Sequence, residues 1–129
     1  MTKLFILLLF ITSTLFADLN WADDYESGIA QAKKEHKKVI VMFTLTSCQV
    51  CKMMKDKVYT DKEVQAYVGK YFVPIELNLD IDEKEGYEVY GTPTFYFLDA
   101  NAKQIGDVKV GGSTVDGFMK RLKKVQASK

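Results

Sequence analysis

Cys48 and Cys51 are the only cysteines in a chain of 129 residues, and Gln49 and Val50 separate them. Two sulfurs at this spacing can close a small structural bridge, exchange disulfides with a partner, or bind a soft metal ion. Their setting favours exchange. The apolar, β-branched run VIVMFTL (residues 39–45) ends in Thr46 and Ser47, and the segment from Cys48 to Val58 holds no glycine or proline. A buried strand therefore turns into a helix at the first sulfur. Unsatisfied backbone N–H groups and the positive end of the helix dipole favour the Cys48 thiolate there. Cys51 lies one helical turn further in, near enough to attack a mixed disulfide formed on Cys48. Cys48 is then the nucleophile and Cys51 the resolving thiol, and the two sulfurs carry the electrons with no cofactor.

The other readings are weaker. A bridge across so few residues constrains the unfolded chain little. Zinc normally takes four ligands, and the chain offers neither a second cysteine pair nor a suitable histidine. Its one histidine, His36, sits in the cationic run KEHKK (residues 34–38) that reads as a solvated helix end. Copper(I) stays open, because Met53 and Met54 follow the pair and soft sulfur suits that ion. Methionines on a helix more commonly fill a core. Gln49 and Val50 leave the direction of electron flow open between reductase and oxidase or isomerase.

The elements that must hold the pair can be read along the chain. Tyr25, Gly28, Ile29 and Ala32 fall at helical spacing within residues 23–36, with Asp23 or Asp24 as the cap. The strand at 39–45 follows, then the cysteine helix to Val58, and a further helix opened by Asp61 and closed by Gly69. FVPIELNL (residues 72–79) reads as a strand with Pro74 near its start, and a helical turn is expected over 83–90. TFYFL (94–98) and residues 104–110 form a hairpin, Gly111 and Gly112 stop it, and residues 114–125 make the last helix. Alternating helices and strands followed by a hairpin predict one α/β domain, a central mixed β-sheet with helices on both faces.

Composition agrees. The chain is 47% hydrophobic and 27% charged, as in a folded globular protein. With 18 Lys and Arg against 17 Asp and Glu, no charge excess draws it to nucleic acid or anionic lipid. Residues 1–17 stand apart. Lys3 precedes eight apolar residues, Leu4 to Ile11, and then a small polar stretch ends at Ala17. That order is a secretory signal peptide, too short for a membrane span. Leu15 at the position three before the cut leaves an uncleaved anchor as the other reading. Without this segment the domain is residues 18–129, with 17 cations against 17 anions. Export places both cysteines in an oxidising compartment, periplasmic or secreted.

From about Trp21 to Val125 the chain resembles the thioredoxin fold: the strand VIVMFTL into TSCQVCK, the strand IELNLD, and the GTPTFYF segment with Gly111 and Gly112 beyond it. Within that fold it is similar to exported thiol–disulfide oxidoreductases. It shares the C-x-x-C-K run and the D-x-x-V-Q helix (Asp61 to Gln65) with the periplasmic C-terminal domain of DsbD-type reductases, and it looks like small periplasmic thioredoxins. The resemblance implies a cis bond before Pro93, packed beside the cysteines. It also implies that the backbone of Thr92 holds a substrate's cysteine-containing strand against Cys48. It implies protein thiol and disulfide substrates, a membrane thiol as electron donor, and a monomer. Two departures are visible. The tryptophan that commonly precedes the first cysteine is replaced by Ser47. The buried acid expected six residues before Cys48, which helps take the proton of the resolving cysteine, is Met42. Glu76 stands where the family carries that acid's lysine partner, and is expected to supply the missing proton acceptor from the neighbouring strand.

Overall fold

The computed structural model describes residues 18–129; the proposed signal segment lies outside the described residues. Strand β1 (Lys38–Thr44) is the centre of the molecule, and Val39 to Phe43 are wholly buried. It pairs in parallel with β2 (Phe72–Asn78) and antiparallel with β3 (Thr94–Leu98), which in turn pairs antiparallel with β4 (Lys109–Val110). The sheet order is β2-β1-β3-β4, the mixed sheet expected from the sequence. Pro74 is tolerated because β2 is an edge strand. Its C=O points outward and accepts the Ala22 N–H at 2.9 Å, and on that side no ladder bond needs the N–H that proline lacks.

Alternation along β1 sorts the core into two layers. Val39, Val41 and Phe43 pack with Val73, Ile75, Leu77, Tyr96 and Leu98 against Ala32 and Ile29 of α1 (Tyr25–Glu35). Ile40 and Met42 pack on the opposite face with Cys51, Met54, Phe95, Phe118 and Leu122. That face is covered by α2 (Gln49–Met53), α3 (Lys62–Tyr71) and α4 (Val115–Ala127). The caps are those the sequence offers. Asp24 and Ser27 form a capping box on α1, the Asp61 carboxylate accepts from Glu63 and Val64, and Thr114 accepts from Gly117. His36 caps α1 in the left-handed conformation, φ 54°.

Four local expectations are corrected. The cysteine helix is not uniform: residues Met54–Val58 form a π-helical turn, with the Tyr59 N–H on the Met54 carbonyl at 2.9 Å. The extra residue shifts the helix phase, so that Val58 and Tyr59 are both buried. Helix α3 does not stop at Gly69 but runs on to Tyr71. The helical turn expected over 83–90 is absent, because Glu85 and Gly86 are both left-handed, φ 53° and 82°. Tyr87 leaves that loop to pack on Phe43 and Tyr96. The last strand is short. Gln104 bridges Leu98, left-handed Gly106 (φ 65°) takes the chain off the sheet, and only Lys109 and Val110 rejoin β3.

Candidate functional site

The turn that delivers Cys48 is fastened to the end of β2. The Leu79 N–H bonds the Thr44 carbonyl at 2.8 Å, Asn78 Nδ2 donates to Thr46 Oγ1 at 3.1 Å, and the Asp80 carboxylate accepts the Thr46 N–H at 2.8 Å. That amide bond holds the Asp80 carboxyl below the usual carboxylate range. The segment Asn78 to Asp80 therefore fixes where the strand stops and the helix begins.

Cys48 is the N-cap of α2, with φ −78° and ψ 105°, and its sulfur accepts the Cys51 N–H at 3.1 Å. Cys48 and Cys51 are joined as a disulfide, their Cα atoms 5.3 Å apart. The two ends of the bond differ in access. Cys51 is 1% exposed within the core, whereas Cys48 is only partly buried and packs at its edge. A backbone N–H aimed at the more accessible sulfur favours its thiolate in the reduced state. Cys48 is therefore the more accessible of the two sulfurs.

Thr92–Pro93 is a cis peptide. The Pro93 carbonyl accepts the Gly111 N–H at 2.8 Å, and Thr94 Oγ1 donates to the Gly91 carbonyl at 2.6 Å. The backbone N–H and C=O of Thr92 have no hydrogen-bond partner among the described residues. The glycine pair links this loop to the cysteine helix. A Cβ on Gly112 would stand 2.7 Å from Val50 Cγ1 and 3.1 Å from Met53 Cε, so a larger residue here would displace those two side chains of α2. Beyond Gly112, the Ser113 N–H donates to Met54 Sδ at 3.2 Å, which commits that buried sulfur to the core.

Two cavities flank the pair. One of about 340 Å³ is lined by Cys48 and Cys51 together with Thr46, Lys52, Lys55 and Asn78. A larger apolar groove of about 580 Å³ runs beside Val50 between Met53, Val58 and residues 112–115. The chemistry belongs to the smaller one, since it contains the sulfurs.

Glu76 lies on the Cys51 face of the sheet, opposite Met42 in the register of β1 and β2. It makes no hydrogen bond to either sulfur among the described residues. Its carboxylate meets Lys55 Nζ at 2.9 Å through Oε2 and 3.2 Å through Oε1, and Thr44 Oγ1 donates to Oε2 at 3.4 Å. Lys55 escaped the sequence reading. The available signal was its place four residues after Cys51, one turn along the same helical stripe. Tyr59 was also missed. Its ring is buried between Trp21 (centroids 4.7 Å) and Phe118 (5.1 Å), and its hydroxyl has no partner among the described residues. Burial, with a smaller contribution from the Glu76 charge, pushes its phenol far above the ordinary range.

Comparison with known proteins agrees with this geometry. The thioredoxin-like domain family matches residues 25–126. Anterior gradient protein 3 of Xenopus tropicalis is 30% identical over 95 residues, 70% of this chain and 56% of that protein. The chain thus spans about half the length of the anterior gradient proteins it matches. Disulfide bond reductase DsbH of Chlamydia pneumoniae is 25% identical over 103 residues, 69% of this chain and 61% of that protein. The thiol:disulfide interchange protein DsbD of Pseudoalteromonas atlantica is 30% identical over 102 residues, 75% of this chain and 16% of that protein. Among solved structures, a thioredoxin from Thermus thermophilus superimposes with a TM-score of 0.75 at 30% identity, covering 86% of this chain and 89% of that one. With a C-x-x-C disulfide capping the helix that follows a central strand, the chain belongs to the thioredoxin-like domain family.

Proposed function

We propose that the chain is an exported thiol–disulfide oxidoreductase that reduces disulfides of other exported proteins. The observation that carries the reading is the asymmetry of the Cys48–Cys51 pair: one sulfur partly accessible and hydrogen-bonded at the helix cap, the other sealed in the core. The Cys48 thiolate attacks a substrate disulfide, forms a mixed disulfide and releases the first substrate thiol. Cys51 then loses its proton, with Glu76 as acceptor, and attacks the Cys48 sulfur. The second substrate thiol leaves and the protein is left oxidised. Thr92, with its unpaired backbone groups, and Pro93 shape the edge on which a substrate strand docks. No cofactor is required, and the protein acts as a monomer.

Residues 1–17 are the export signal and residues 18–129 the working domain, and export makes an external electron source necessary. A membrane thiol protein fits that need. The names of the DsbH and DsbD relatives support disulfide chemistry, and the first supports its reductive direction. The reduction potential tests the reading. A value near −270 mV is expected, and one near −120 mV would reverse the direction of electron flow.

A further inference from the structure

The larger of the two cavities beside the disulfide, the apolar groove of about 580 Å³, has no part in the exchange of sulfurs. Its walls follow from the π turn. Helix α2 brings Met53 to the groove, and the turn Met54–Val58 that follows adds buried Val58 and exposed Lys57. Val115, the first residue of α4, lies across from them, and Gly112 leaves room for Val50 and Met53 between the two sides. Val50 joins the groove to the reactive pair: it stands between Cys48 and Cys51 in the chain and is 44% exposed. Lys57 is the one charged residue lining the groove, and it has no hydrogen-bond or ion-pair partner among the described residues. Lys55, two residues earlier, is by contrast held by Glu76.

We propose that this groove selects the substrate. It seats a large apolar side chain of the protein substrate, close in sequence to the cysteine that Cys48 attacks, and Lys57 pairs with a carboxylate beyond that side chain. The preferred segment is thus extended and carries a cysteine, then a leucine-like or phenylalanine-like residue, then an acid. This names the substrate class of the oxidoreductase proposed above and rests on that reading. Two features of the groove choose this occupant. An extended chain advances about 3.3 Å per residue, so a residue a few positions from the attacked cysteine reaches past Val50 into the apolar walls. The unpartnered ammonium then favours an acid and repels a substrate lysine or arginine at the same place.

Three symmetrical peptide dimers, each joined by one disulfide, test the inference. On both sides of the cysteine they carry leucine then glutamate, leucine then lysine, or serine then serine. Reduced protein is mixed with each dimer, the reaction is stopped with acid at intervals, and the released peptide thiol is measured by chromatography. The leucine–glutamate dimer should half-saturate the rate at a concentration about tenfold below the serine dimer and about fivefold below the leucine–lysine dimer. High salt should erase the second difference and keep the first. Lys57→Glu, an exchange at an exposed position, should make leucine–lysine the better of the two charged dimers. It should reduce hydroxyethyl disulfide, which is too small to reach the groove, at the wild-type rate. Equal half-saturation by all three dimers overturns the inference while the oxidoreductase reading stands. So does an order of preference that Lys57→Glu leaves unchanged. A concentration-dependent dimer of the protein in sedimentation, dissociated by Lys57→Glu, would place a second copy in the groove and overturn it as well. If the reduced wild-type protein leaves hydroxyethyl disulfide and all three peptides intact, the oxidoreductase reading itself fails. Circular dichroism of Lys57→Glu separates these outcomes from misfolding.

Discussion

At the scale of single residues, the two sulfurs have unequal surroundings, and the proposed mechanism gives them unequal jobs. Cys48→Ser should abolish disulfide reduction, whereas Cys51→Ser should keep the first attack and accumulate a covalent substrate adduct. An insulin-reduction assay and intact mass measurement check both outcomes. Tyr59 gives a second expectation of a different kind. Its buried hydroxyl lacks a partner among the described residues, and desolvating such a group costs about 1–3 kcal/mol. Tyr59→Phe keeps the ring contacts with Trp21 and Phe118 and removes that cost. Urea unfolding should therefore show a gain of about 1 kcal/mol, and a loss would mean that an unseen partner satisfies the hydroxyl. The cysteines were legible because C-x-x-C at a strand-to-helix junction has a recognisable pattern. Tyr59 was not, since its burial depends on the π turn, and a one-residue shift of helix phase leaves no mark in apolar spacing.

At the scale of elements, close approach decides what the sheet and helices tolerate. A Cβ on Gly28 of α1 would lie 2.6 Å from Ile75 and 2.9 Å from Ala22, so Gly28→Ala must push the helix off β2. The expected loss is about 1–3 kcal/mol from overpacking, read from the urea midpoint, and it should leave the reduction potential unchanged. Periodicity predicted the four helices and the order of strands, and side chains predicted the caps. The helical turn expected between β2 and β3 is absent, and the strand that returns along β3 is shorter than expected, for one physical reason. Their paths depend on single left-handed residues, Glu85 with Gly86 and then Gly106, which break an element without changing its hydrophobic pattern.

At the scale of the whole molecule, the disulfide is chemically central and structurally minor. It closes a loop with a sequence separation of 3, for which chain entropy supplies only about 2 kcal/mol, while the two core layers are built mainly from other side chains. Reduction should therefore leave the far-ultraviolet circular dichroism unchanged, and unfolding on reduction would contradict a working dithiol. Stability should also respond to alkali. Tyr59 and Tyr87 both hold their protons more tightly in the folded protein than at the ordinary phenol value, chiefly through burial. Their contribution is complete below about pH 10 and is lost as pH rises further, because the unfolded chain ionises first. Urea midpoints from pH 8 to 11 should show that fall, and Tyr59→Phe should flatten it. By itself the sequence determined the class of fold and the cysteine pair at the strand-to-helix junction, because these follow from side-chain type and local period. Only the tertiary structure decided which sulfur is sealed, that Gly112 packs against Val50, and that Lys55 and Glu76 form a pair across helix and strand. Those facts depend on contacts between segments distant in the chain, and packing, not local spacing, selects them.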